Sequence, residues 1–216
     1  MRNLANNLAK FKNELTAVCQ NCGRDPSKIS IVAVTKNHSA AEINELLENG
    51  VSQIGENKLQ EFLAKKYEIK NCEKHFIGRI QSNKAREIAR NFDVVQSVGS
   101  VRIARILDDE SAKLEKILPI FLQANLADES QKSGLLESEL SQAVTEITKL
   151  QNLKIEGLMV IGVLGDDEKT REVFAEAKKL NDQFGFQSLS MGMSGDWQIA
   201  VEEGANFLRI GSLLFE

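Results

Sequence analysis

Residues 29–57 read ISIVAVTKNHSAAEINELLENGVSQIGEN, and this stretch sets the pattern for the chain. Ile29 to Thr35 is a short, β-branched apolar run of the kind that forms a strand covered on both faces. Ser39 to Glu48 then reads as a helix that ends at Gly50, and Val51 to Gly55 returns to a strand. Strand, helix and strand in such close succession imply parallel pairing through a right-handed crossover. The unit repeats downstream. Strands are expected at His75–Gly78, Val94–Ser97, Ile117–Asn125, Leu153–Ile161, Ser188–Ser190 and Phe207–Ile210. The intervening helices are a segment through Tyr67, then Lys84–Arg90, Val101–Leu114, Leu136–Leu150, Thr170–Phe184 and Asp196–Glu203. Upstream, Leu4, Leu8, Phe11, Leu15 and Val18 recur at helical spacing until Gly23 to Lys28 stops them. The expectation is an α/β fold, a (β/α)₈ barrel of the TIM type with an additional N-terminal helix. An open, doubly wound sheet is the alternative.

The chain has 216 residues, short for one such barrel and long for two independent domains. No Gly-, Ser- or Pro-rich linker divides it, so residues 1–216 are read as a single domain. At 42% hydrophobic and 27% charged it can bury a sizeable core. A net charge of −4 calls for neither nucleic acid nor an anionic membrane as partner. No apolar run approaches a membrane span, and Met1 to Lys12 lacks a signal-peptide core, so a cytoplasmic location is expected. Cys19-x-x-Cys22 lacks further ligands for zinc and closes an amphipathic helix, so it reads as two helix-end thiols, and no metal is expected.

In a barrel of this type the chemistry gathers at the C-terminal ends of the strands. The first strand delivers Lys36 directly after Val32-Ala33-Val34-Thr35. A lysine rising from so apolar a run is expected to be shielded from water, which favours the neutral, nucleophilic amine; a lysine reaching out to solvent is the bland reading. The last two strands end in Met191-Gly192-Met193-Ser194-Gly195 and Arg209-Ile210-Gly211-Ser212. Their glycines let backbone amides approach an anion, and Ser194 is placed to cap the helix near Asp196. Arg209 points inward and needs a partner, for which Glu56 is one candidate.

These residues bring a known family into view. The sequence resembles the pyridoxal phosphate homeostasis proteins, also described as alanine-racemase N-terminal-domain-like, over nearly its whole length. The resemblance rests on Val32-Ala33-Val34-Thr35-Lys36, Gly55-Glu56-Asn57, His75-Phe76-Ile77-Gly78, Gln81-Ser82-Asn83-Lys84, Lys132-Ser133-Gly134, Gly157-Leu158-Met159, Met191-Gly192-Met193-Ser194 and Arg209-Ile210-Gly211. It implies pyridoxal 5′-phosphate as cofactor, bound to Lys36 as a Schiff base. It further implies a phosphate grip from Ser194, Gly195, Gly211 and Ser212, with Arg209 at the pyridine nitrogen and Asn57 lining the cofactor. Met159 falls in or near the barrel, and His75 reads as a buried structural histidine. Family members continue past the last strand with Phe-Gly and further residues, whereas Phe215-Glu216 leaves little of an eighth outer helix to cover that flank.

Racemisation needs proton-transferring groups on both faces of the substrate, and the related racemases supply the second as a tyrosine from an extra domain. The only tyrosine here, Tyr67, stands at a helix end far in sequence from any strand end. The expected function is therefore to carry and buffer pyridoxal phosphate, with cofactor-dependent client enzymes as partners and the chain a monomer. A low-activity amino-acid racemase is the alternative, and a class I aldolase-like enzyme without cofactor is another. Arg79, Lys84, Arg86, Arg90, Arg102 and Arg105 form either a client-docking face or a solvated surface.

Overall fold

The computed structural model describes residues 3–127 and 133–216. Among these described residues nine strands, all parallel, follow in order: β1 (Ser30–Val34), β2 (Gln53–Glu56), β3 (Glu73–Phe76), β4 (Val94–Val98), β5 (Leu118–Asn125), β6 (Leu135–Leu136), β7 (Leu153–Val160), β8 (Ser188–Ser190) and β9 (Phe207–Ile210). Eight of them close on themselves in the order β4-β3-β2-β1-β9-β8-β7-β5, with β5 returning to β4. The closing register pairs Val95 with Ile120 and Val98 with Leu122. That contact excludes the open sheet. The ninth, β6, is a two-residue outrigger on the end of β5, pairing Ala124 with Leu135.

Outside the barrel lie α1 (Leu4–Asn21), α2 (Ala40–Glu48), α3 (Leu59–Lys65), α4 (Ala85–Asn91), α5 (Val101–Ala112), α6 (Glu137–Ile147), α7 (Asp167–Gln183), α8 (Trp197–Glu202) and α9 (Ser212–Phe215). Side chains cap the N-termini of four of them. Asn3, Ser39, Ser100 and Asp166 each accept a backbone N–H from the first turn that follows. The Asp166 cap starts α7 three residues ahead of the expected Thr170. The third strand is displaced in the same sense, to Glu73–Phe76. A Cβ on Gly78 would stand 1.9 Å from the Asn57 carbonyl, so the chain there leaves the ladder to pass over the end of β2.

Alternation along the strands divides the core into two. Val95, Phe76, Leu189, Leu208 and Ile210 face the helices in one large apolar cluster. Val94, Phe121 and Met159 form a small separate cluster with Ile161 and Phe207 against it. Beside that plug run the buried polar side chains of His75, Gln96, Ser190 and Arg209. The flank beside the four-residue α9 is covered by α1. It packs on α9 and α8, and Asn7 Nδ2 donates to the Leu214 carbonyl at 3.1 Å. Leu214 and Phe215 are fully buried. Cys19 faces the core and Cys22 is the C-cap of α1.

Candidate functional site

A turn, not a straight strand end, presents Lys36. β1 stops at Val34, and Asn37 takes the left-handed region with φ 63° while the His38 N–H returns to the Thr35 carbonyl at 3.2 Å. The turn is held from below. Lys65 Nζ, at the end of α3, donates to the carbonyls of Thr35 (2.9 Å) and His38 (3.0 Å) and pairs with Glu56 Oε1 at 2.6 Å. The Thr35 hydroxyl donates to the same Glu56 oxygen at 2.6 Å. Glu56 is wholly buried.

The shielding expected for Lys36 is absent. The turn lifts its side chain over the rim, where it is exposed, instead of leaving it on the barrel floor. It nevertheless lines a mouth cavity of about 510 Å³ together with Ser194, Gly195, Arg209, Gly211 and Ser212. His38 lies on the same wall, stacked on Phe215 with ring centroids 3.6 Å apart. Lys36 and Arg209 outnumber the one carboxylate side chain in the lining, that of Glu216.

Ser194 does not cap α8 as expected. The N-cap there is Asp196, whose carboxylate turns back to the Met193 N–H at 2.5 Å. Ser194 Oγ instead accepts from the N–H groups of Gly211 (3.2 Å) and Leu213 (3.4 Å), stitching the β8 and β9 ends together. Among the described residues, the N–H groups of Ser194, Gly195 and Ser212 find no acceptor. A Cβ on Gly195 would meet nothing within 4 Å, so the approach to these amides is open.

Arg209 is buried and points inward, but not to Glu56, which Lys65 has taken. Its guanidinium donates to Ser190 Oγ at 2.7 Å and to the Val160 carbonyl at 2.8 Å. Burial pushes its pKa down to about 10, and the Asp196 carboxylate works in the opposite direction. Burial likewise raises the Asp196 carboxyl, against the Met193 N–H and Arg209, which lower it.

Asn57 is not brought to this cavity. It lines a neighbouring one of about 440 Å³ with Phe76, Arg79 and Lys84, and its buried Oδ1 has no hydrogen-bond partner. Of the motif at 132–134, Lys132 lies outside the described residues, whereas the Ser133 carbonyl accepts from Gln123. Met159 belongs to the inner cluster, and His75 is buried between Glu73 and Gln96. Tyr67 lies beyond the end of α3, 90% exposed, and does not line the cavity. Among the basic residues near β3 and β4, Arg86 faces Glu110 and Arg105 bonds Glu146. Sequence reasoning missed Lys65, His38, Gln96 and Ser190. A polar residue inside the apolar run Val94-Val95-Gln96-Ser97-Val98 was the available signal for Gln96.

A closed parallel barrel with a lysine and an amide cradle at its mouth defines the class of the alanine racemase N-terminal domain, and the model of that domain matches residues 6–216. Proteins named "Pyridoxal phosphate homeostasis protein" are 37% identical in Pseudomonas aeruginosa and 33% in Escherichia coli. Both alignments take in 100% of this chain and 96% and 97% of those proteins. The solved structure of PipY of Synechococcus elongatus with PLP bound superposes with a TM-score of 0.88 at 33% identity, covering 99% of this chain and 100% of that one. Clostridium difficile alanine racemase shares the fold alone: TM-score 0.72, 16% identity, 94% of this chain and 55% of that one. This chain belongs to the pyridoxal phosphate homeostasis protein family.

Proposed function

We propose that the chain, acting as a single domain, binds pyridoxal 5′-phosphate at the β1–β8–β9 mouth and carries and buffers it for cofactor-dependent client enzymes. The cofactor supplies an aldehyde. The Lys36 amine would hold it there as a Schiff base, the aldehyde oxygen leaving as one water. One observation carries the reading: the Lys36 amine and the acceptor-free amides at Ser194, Gly195 and Ser212 share a single cavity. The fit is good on both counts. The acceptor-free N–H groups of Ser194, Gly195 and Ser212 make an anion cradle, and Ser194 Oγ ties the β8 and β9 loops together beside it. Arg209, which lines the same cavity, would face the ring nitrogen and keep it unprotonated.

The exposure of Lys36 supports a carrier. A cofactor held at an open rim can be handed on, and Tyr67, exposed and not among the residues that line the cavity, supplies no second proton-transferring group there. Borohydride reduction of the protein loaded with pyridoxal phosphate, followed by peptide mapping, tests the assignment. The reduced adduct is expected on Lys36; recovery on another lysine would overturn it.

A further inference from the structure

An unbroken line of hydrogen bonds crosses the barrel interior and ends on Arg209. His75 Nε2 meets Glu73 Oε1 at 2.6 Å, and Gln96 Nε2 donates to His75 Nδ1 at 2.8 Å. The Ser190 hydroxyl donates to Gln96 Oε1 at 2.7 Å, which leaves its oxygen free to accept from Arg209 Nη1 at 2.7 Å. Each link fixes the next. The Gln96 NH₂ can only donate, so His75 accepts it at Nδ1 and turns its Nε2–H to the Glu73 carboxylate at the half-exposed outer end. With its NH₂ on the histidine, Gln96 turns its carbonyl to Ser190. Ser190 has one proton, and that proton is committed to Gln96.

Packing alone does not call for this arrangement. His75, Gln96, Ser190 and Arg209 are at most 4% exposed, and they sit beside an interior plug of Val94, Phe121 and Met159 that is wholly apolar. Barrels of this fold are filled by apolar layers, and a buried polar side chain stabilises no better than a well-packed apolar one. What the line does achieve is a preset acceptor for the guanidinium of a residue that lines the mouth cavity. We propose that Gln96 and Ser190, oriented by His75 and Glu73, are positioning residues that fix the guanidinium of Arg209 against the cavity. The idea deepens the cofactor reading above and rests on it for the identity of the ligand.

The test uses the full-length protein labelled with ¹⁵N-arginine, first without ligand. The guanidinium signal is assigned by Arg209→Lys. Gln96→Met and Ser190→Ala are expected to speed exchange of the Arg209 N–H protons with water by about tenfold, the worth of one net hydrogen bond, while Ser190→Thr retains the slow rate. Phe121→Leu, in the adjoining plug, serves as a control for lost stability, with thermal melts recorded for every variant. Pyridoxal phosphate is then titrated by fluorescence, where Gln96→Met and Ser190→Ala are expected to weaken binding by about tenfold and Ser190→Thr to restore it. Exchange unchanged in Gln96→Met, or raised equally by Phe121→Leu, overturns the proposal. If exchange responds as expected but the wild-type protein takes up no pyridoxal phosphate, the positioning line stands and the cofactor reading falls.

Discussion

Replacing Lys65 by Met would remove the ammonium that bonds the Thr35 and His38 carbonyls and strand the Glu56 carboxylate in the barrel wall. An uncompensated buried charge costs about 3–5 kcal/mol, to be read from urea unfolding. Adding Glu56→Gln should recover part of that loss, because the stranded charge is then gone. Lys36→Ala behaves differently. Its side chain is exposed at the rim, so stability should change by less than about 0.5 kcal/mol while the borohydride adduct disappears. Lys36 itself was legible in the sequence as a strand-end lysine. Its environment was not, because the left-handed turn at Asn37 and the support from Lys65 depend on contacts far along the chain.

At the scale of the element, α2 is the helix that aims one wall of the mouth. Ser39 and Glu42 form a reciprocal cap, and Glu42 also receives the His38 ring at 3.4 Å. The bonds from the Ser39 N–H and hydroxyl come first in holding the Glu42 carboxyl down at about 2, with His38 adding less. A carboxyl depressed in the folded state stabilises above its unfolded value and loses that contribution as the pH falls through the folded one. Glu42→Gln should therefore cost about 1 kcal/mol at neutral pH. The penalty should shrink between an ordinary carboxylate value of about 4.5 and the folded value of about 2, as followed by denaturant melts across that range. Periodicity marked the helices and strands well, since apolar spacing is a local property. It put Ser194 at α8, whereas its hydroxyl receives the N–H groups of Gly211 and Leu213 at the start of α9, a contact between separate segments that only the fold creates.

For the molecule as a whole, closure depends on the β4–β5 seam and on α1 clasping α9. The barrel count could be read from repeated units, but the seam could not, because pairing partners between distant strands leave no periodic trace. The clasp also answers the thin flank anticipated from the short last helix: Leu8 and Phe11 are buried, and Phe11 meets Trp197 edge-on at 5.0 Å. Phe11→Ala should cost about 3–5 kcal/mol in an unfolding experiment, the range for emptying a packed aromatic site. The mouth cavity joins residues 34–38 to residues 193–216, nearly the full length of the sequence. The two walls of the pocket are therefore distant partners along the polymer, and a folding chain holds half a binding site until the last strands dock beside the first. Capture of a ligand there reports on closed barrels only.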